Sequence, residues 1–250
     1  MEFVSNGMII GVDEVGKGSW AGPMLVVGFA APMGWMLKGL RDSKQYEDHV
    51  ARKKIYKHLQ DSSHCFWNTR YVEAQDIDEV GMKFAHAKAI REAIEVCMNM
   101  LQQPCPGLPE RIVVDGDFPP PFPGVECIPK ADDMFPQVSA ASVIAKVIHD
   151  ELMISHAAKY PGYDFENNMG YGTKKHEKGI ATLGLCPLHR RSFAPIRKYL
   201  SEVQGELSSS CESARTCKEG SGDGRAAKSS GGHGRGASGR GSSSRSRSFF

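Results

Sequence analysis

The sequence lacks paired cysteine motifs, long apolar runs and a basic flank near its start. Its seven cysteines stand at positions 65, 97, 105, 127, 186, 211 and 217. The count is odd and none forms a CxxC pair. That argues against a disulfide frame or a zinc–thiolate site and reads as separate thiols in a reducing compartment. No apolar run reaches the ~18 residues that a membrane span needs, so no membrane partner is expected. The opening MEFVSNGMII has an early acid and no basic segment, so no secretory leader is expected. A cytoplasmic, bacterial-like setting fits, and a nucleus or a viral host cell would fit the same thiols.

What is present is an ordinary soluble composition with an uneven charge. The 250 residues are 40% hydrophobic and 24% charged, enough for one large domain or two small ones. The net charge is +2, but residues 218–250 hold seven Lys or Arg against two acids, which leaves −3 for residues 1–217. An acidic body that binds nucleic acid needs metal ions or a local basic patch. Beyond about 205 Ser, Gly and Arg dominate the chain, which ends SGGHGRGASGRGSSSRSRSFF. Such a composition buries too little apolar surface to offset chain entropy. The domain reading is therefore a folded unit over 1–205 and a disordered tail over 206–250. The tail suits loose contact with RNA or DNA, or serves only as a solubilising linker.

Along the chain, periodicity predicts strands over Met8–Glu14, Met24–Ala31, Cys65–Val72, Arg111–Asp115 and Val125–Ile128. Helices are predicted over Asp48–Leu59, with Asp42 or Ser43 as N-cap candidates before it, and over Asp76–Leu101, from Pro136 to Leu152, and over Lys174–Leu183. Arg52 and the lysines of the first helix read as a solvated face. Residues 160–173, YPGYDFENNMGYGT, read as a loop, and LHRRSFAPIR at 188–197 as a compact basic stretch.

Three segments end in acids. The first strand ends in Asp13 and Glu14, the RIVVD strand in Asp115, and the entry to the Pro136 helix holds Asp132 and Asp133. Taken singly, each has a bland reading: a polar turn for Asp13 and Glu14, helix-end acids for Asp132 and Asp133. No histidine or cysteine stands beside them at ligand spacing. Carboxylates alone are hard oxygen donors and suit Mg²⁺ or Mn²⁺ rather than zinc. Four of them converging on one sheet edge would suit a two-metal phosphoryl-transfer site. Adjacent residues on a strand face opposite ways, so Asp13 and Glu14 are expected to share a site only if the strand breaks or twists at the turn that begins at Gly16.

Six blocks occur in order: GVDEVGKGSWAGP at 11–23, RDSK at 41–44, VVDG at 113–116, KADDMFPQVSAASVIAKV at 130–147, GYGT at 170–173 and HRRSFAP at 189–195. In order and spacing they resemble type 2 ribonuclease H, the ribonuclease HII family, over roughly residues 8–200. The resemblance implies an α/β, ribonuclease H-like fold, a mixed five-stranded sheet flanked by helices. It implies a monomeric endonuclease that cleaves the RNA strand of RNA–DNA hybrids and incises duplex DNA at embedded ribonucleotides. A two-metal-ion mechanism would leave 3′-hydroxyl and 5′-phosphate ends.

By the same resemblance Asp13, Glu14, Asp115 and Asp132 are the catalytic metal ligands. Asp133 is left as a local cap or solvated acid and Asp117 as a loop residue. The turn of Gly16, Lys17 and Gly18 would read the ribose 2′-hydroxyl, the group that separates RNA from DNA. Tyr171 would stack on the sugar beyond the ribonucleotide and sense an RNA-to-DNA junction; a buried loop tyrosine is the plain alternative. Lys44, Lys146, Arg190 and Arg191 would contact phosphates, although Lys146 could instead pair with an acid. Type 2 members usually carry GRG where this chain has GKG, the form typical of type 3 relatives. Those relatives have an extra N-terminal domain and tend to lack the tyrosine. Lysine and arginine are not equivalent at a bidentate phosphate contact. A type 3-like enzyme confined to longer hybrids is thus one alternative. A non-catalytic nucleic-acid-binding module that uses the tail and HRRSF is another.

Overall fold

A computed structural model of the chain describes residues 7–40, 46, 49–62, 64–102 and 108–204. The expectations for Asp42, Ser43, Lys44 and the 206–250 tail lie outside the described residues. The sheet and its helices lie within the unit Met1–Val203.

Five strands form one mixed sheet in the order β3-β2-β1-β4-β5. They are β1 (Met8–Val15), β2 (Met24–Pro32), β3 (Phe66–Val72), β4 (Arg111–Asp115) and β5 (Val125–Ile128). The first three pair antiparallel as a meander, while β4 joins the other side of β1 in parallel and β5 follows in parallel. The helices are α1 (His49–Gln60), α2 (Ala74–Val80), α3 (Met82–Leu101), α4 (Pro136–Lys159), α5 (Phe165–Asn168), α6 (Lys174–Leu183) and a last helix, α7, over 194–204.

The expected single helix over Asp76–Leu101 is in fact two. Gly81 sits between α2 and α3 with φ +83°, a left-handed backbone that no helix interior accepts. The loop expected at 160–173 also contains α5, a single short turn of helix.

Both faces of the sheet are covered, so β2 is buried along nearly its whole length. Alternation assigns its residues to two cores. Met24, Val26 and Ala30 pack with Ile10 and Val12 against Ala85, Ala89, Ile90, Ala93, Ile94 and Cys97 of α3. Val27, Phe29 and Ala31 pack on the other face against the alanine-rich start of α4 and Leu59 of α1. A third cluster, outside the sheet, joins Ala21, Met153, Tyr163, Phe165, Ile180, Cys186 and Ile196.

One approach decides where the site lies. Gly11 of β1 faces the first turn of α4, and a Cβ there would stand 2.7 Å from the carbonyl oxygen of Gln137. Only glycine lets the helix come this near the central strand. Pro136 occupies the first turn of α4, where its missing N–H costs no hydrogen bond.

Candidate active site

The central strand pair delivers the first two acids. Val12 pairs with Val114 in the parallel register of β1 and β4, so the next residue of each, Asp13 and Asp115, leaves the sheet on neighbouring strands. A 3₁₀ turn, Ala131–Asp133, brings in the third. The Ala131 N–H donates to Asp115 Oδ1 at 2.8 Å, and the Ser139 hydroxyl of α4 donates to the Asp132 carbonyl. The Ala131–Asp133 turn is thereby tied to both β4 and α4. Asp13, Asp115 and Asp132 each offer a carboxylate oxygen, and these oxygens all lie within 4.8 Å of one another.

Three carboxylates this close repel. Asp13 is buried, and burial, then the neighbouring Glu14 charge, raises its pKa well above the ordinary carboxylate value; Asp115 adds to the rise. The Glu14 N–H and Ser142 of α4 act the other way by hydrogen-bonding its carboxylate. An all-carboxylate set this close together could hold a metal ion.

Glu14 stands apart from the three. The expected break in the strand is absent: β1 continues to Val15, with Glu14 still opposite Val26 of β2. The two-residue period therefore sends Asp13 towards α4 and Glu14 towards α3. There Glu14 Oε2 lies 3.4 Å from His86 Nε2, and its Oε1 accepts from the Lys17 ammonium at 3.3 Å. Burial alone would raise the Glu14 pKa, but His86 and then Lys17 outweigh it and hold the carboxyl below its ordinary value. His86 packs edge-on against Phe118, over whose ring the Lys17 ammonium also lies, at 5.2 Å. Sequence reasoning missed His86, 72 positions from Glu14; its one signal was a buried histidine on an alanine-rich helix face.

These groups line one open cleft of about 440 Å³, with Asp13, Glu14, Asp115, Gly16, Lys17 and Gly18 on one side and Ser142, Lys146, Arg52 and Tyr171 around it. Gly16 has φ +77°, and a Cβ there would press on the His149 ring. Gly18 leaves its face open apart from the Tyr171 ring, 3.6 Å from where a Cβ would be. Tyr171 is 41% exposed and so does not take the buried-loop alternative.

Lys146 pairs with Asp150 one turn on, at 2.7 Å. Arg52 approaches the same buried Asp150 at 3.6 Å. The cations of α1 are thus not all a solvated face: Arg52 reaches the cleft.

Arg190 differs most from its expectation. It is fully buried, so in this structure it offers no surface to a phosphate. Its Nε and Nη2 donate to the Gly22 carbonyl at 3.0 and 2.8 Å, and its Nη1 donates to the Lys17 carbonyl at 3.0 Å. Burial pushes its pKa down to about 10, which still leaves it cationic at neutral pH. Arg190 is a clamp beneath the glycine turn. Arg191 is exposed, and its N–H donates to Asp78 Oδ2 at 2.7 Å.

Comparison with known proteins agrees with this geometry. A family model for ribonuclease HII matches residues 10–196. A ribonuclease HII of Listeria monocytogenes is 39% identical over 191 residues, covering 76% of this chain and 69% of the relative. One from Zymomonas mobilis is 35% identical over 201 residues, covering 79% and 89%. Among solved structures, ribonuclease H2 from Pyrococcus horikoshii OT3 superposes with TM-score 0.61 at 26% identity, over 76% of this chain and 96% of that one. Bst-RNase HIII, solved in complex with Mn²⁺, shares the fold with TM-score 0.63 at 22% identity, over 78% and 70%. The acids at the ends of β1 and β4, the mixed five-stranded sheet and these matches lead to one conclusion: the chain belongs to the ribonuclease HII family, endoribonucleases of the ribonuclease H type.

Proposed function

We propose that the protein hydrolyses the RNA strand of RNA–DNA hybrids and incises duplex DNA 5′ of embedded ribonucleotides, leaving 3′-hydroxyl and 5′-phosphate ends. The observation that carries this reading is the convergence of Asp13, Asp115 and Asp132 within 4.8 Å, with Asp13 and Asp115 lining an open cleft. Residues 1–205 are the catalytic domain in this reading.

An all-oxygen, mutually repelling donor set fits Mg²⁺ or Mn²⁺, with Asp13, Asp115 and Asp132 as its core and Glu14 at its edge. Such ions, when bound, supply an activated water and charge stabilisation at the phosphate. The protein's own part is placement. The backbone of Gly16–Gly18, fixed from below by Arg190, offers the 2′-hydroxyl a preformed surface. Tyr171, across from Gly18, is where the next sugar would stack. Lys146 and Arg52 line the same cleft and are the cations suited to the substrate backbone, Arg191 being a more distant one.

The test is a labelled long hybrid and a duplex with a single ribonucleotide, run side by side with Mg²⁺ or Mn²⁺. Cleavage of both, lost in Asp13→Asn and Asp115→Asn, is the expected result. A folded wild type that cuts neither, or variants that cut undiminished, would overturn the proposal.

A further inference from the structure

Two buried histidines lie behind the cleft and take no part in the chemistry proposed above. His176 is on α6 and His189 on the segment leading to α7, and both are almost inaccessible to solvent. Their Nε2 atoms are 3.1 Å apart. On the outer side of each ring stands a backbone group. His176 Nδ1 is 3.0 Å from the Tyr171 carbonyl oxygen, and the Cys186 N–H donates to His189 Nδ1 at 2.9 Å.

These contacts admit one arrangement of protons. A carbonyl only accepts, so His176 Nδ1 must carry hydrogen to meet Tyr171. A neutral His176 then presents a bare Nε2, which His189 must meet with Nε2–H. His189 is left with a bare Nδ1, which is what the Cys186 N–H requires. The opposite order, with His189 Nδ1–H on the Cys186 carbonyl at 3.2 Å, would set His176 Nδ1 and the Tyr171 oxygen lone pair to lone pair. Burial favours neutral rings, and it lowers the pKa of both histidines, His189 to about 4. The rings are packed by Trp20, Tyr163 and Phe165, so neither can turn freely.

We infer that His176 and His189 form a directed hydrogen-bond chain, Cys186 to His189 to His176 to Tyr171, that positions Tyr171 over the glycine turn and so sets selectivity for a lone ribonucleotide. The inference rests on the reading of Tyr171 as the junction-sensing residue. Three features support it. The chain ends on the backbone of Tyr171 itself. The Tyr171 ring lies against Gly18. The Trp20 N–H donates to the adjacent Gly170 carbonyl at 2.8 Å, so the same segment is bonded to the stretch just after the glycine turn on one side and to the histidines on the other. His176 and His189 are positioning residues; neither lines the cleft.

The experiment uses the full chain in two parts. The first is ¹⁵N NMR of the histidines at pH 7.5, which is expected to show His176 protonated on Nδ1 and His189 on Nε2. Reversed tautomers or a charged ring would overturn the chain. The second compares single-ribonucleotide incision with long-hybrid cleavage as a ratio, which partial unfolding does not change because it lowers both together. His176→Leu, which removes the donor, is expected to lower that ratio by about five- to tenfold, the size of one lost hydrogen bond. His176→Asn, whose amide N–H can replace Nδ1–H, is expected to restore most of it. An unchanged ratio in His176→Leu, alongside a selective loss in Tyr171→Ala, would overturn the positioning while leaving the Tyr171 reading intact. Equal losses on both substrates in Tyr171→Ala would overturn that reading and the selectivity role with it.

Discussion

Gly11 is the residue where packing and activity are coupled most directly. Gly11→Ala adds one methyl to the face of β1 that meets α4. The methyl would abut the Gln137–Val138 peptide, 2.7 Å from its oxygen, where ordinary contact begins at 3.4 Å. The obstacle is backbone in the first turn of a 24-residue helix, not the end of a flexible side chain. Strand and helix must therefore part by about 0.7 Å or more. Overpacking of this kind costs roughly 1–3 kcal/mol, and more where backbone must yield. For a fold of this size, each kcal/mol lowers Tm by about 2–4 °C, so a fall of roughly 2–12 °C is expected. The same displacement separates Asp13 on β1 from Asp132 and Ser142 beside α4. A misplacement approaching 1 Å can cost on the order of a hundredfold in rate. Thermal melts and hybrid cleavage below the melting range measure both effects. A Tm within 1 °C of wild type, with cleavage intact, would refute the argument that glycine sets the strand–helix distance.

Asp13→Asn is expected to raise the metal-free Tm while it abolishes cleavage, because it removes a buried charge that burial, Glu14 and Asp115 all oppose; a lowered Tm would show that the hydrogen bonds to this carboxylate outweigh the repulsion. Acid should loosen the α6–α7 region. His189 has a folded pKa near 4 against an ordinary 6.5, so the unfolded chain takes up the proton first, and stability present above pH 6.5 is lost as pH falls towards 4. A shift of that size corresponds to on the order of 3 kcal/mol. Neighbouring His176, Cys186, Tyr163 and Glu177 share the environment, and His176 acts in the same direction. A melting series from pH 7.5 to 4.5 should show this slope in wild type and a flatter one in His189→Gln; parallel curves would count against it. Lys17→Arg should leave hybrid cleavage similar or better, since an arginine can keep the side-chain contacts of Lys17 to Glu14 and the Phe118 ring, and a large loss would mean the turn requires lysine.

Much of this was legible because strands announce their own ends. Asp13 and Asp115 each follow an apolar run, and the sheet places those runs side by side. Asp132 was legible as a helix-entry acid, although nothing local shows that a 3₁₀ turn bonded to Asp115 carries it to within 4.8 Å of Asp13 and Asp115. Glu14 could be assigned to the cleft but not to its proper face, because the expectation required the strand to break and it does not. Gly81 was overlooked because the apolar period resumes directly after it. Arg190 was read as a surface cation because arginine usually is one; burial of its guanidinium depends on carbonyls at Lys17 and Gly22, about 170 positions away. His86 shares that property, since its partner Glu14 is 72 positions away and local pattern cannot connect the two.

The clamp under the glycine turn also bears on how the enzyme comes into being. By the time residue 159 has been synthesised, all four acids and the whole five-stranded sheet are available. The turn beside them is still untethered, because Arg190 is 31 residues further on. Strand β1 likewise waits for β4, nearly a hundred residues later, before it has a parallel neighbour. Long-range closures of this kind are slow and come late in folding. A growing chain therefore holds Asp13, Glu14, Asp115 and Asp132 well before it holds the arginine that fixes the glycine turn beside them. If the turn reads ribose as proposed, a half-made copy would have the acids without the means to select what they cut.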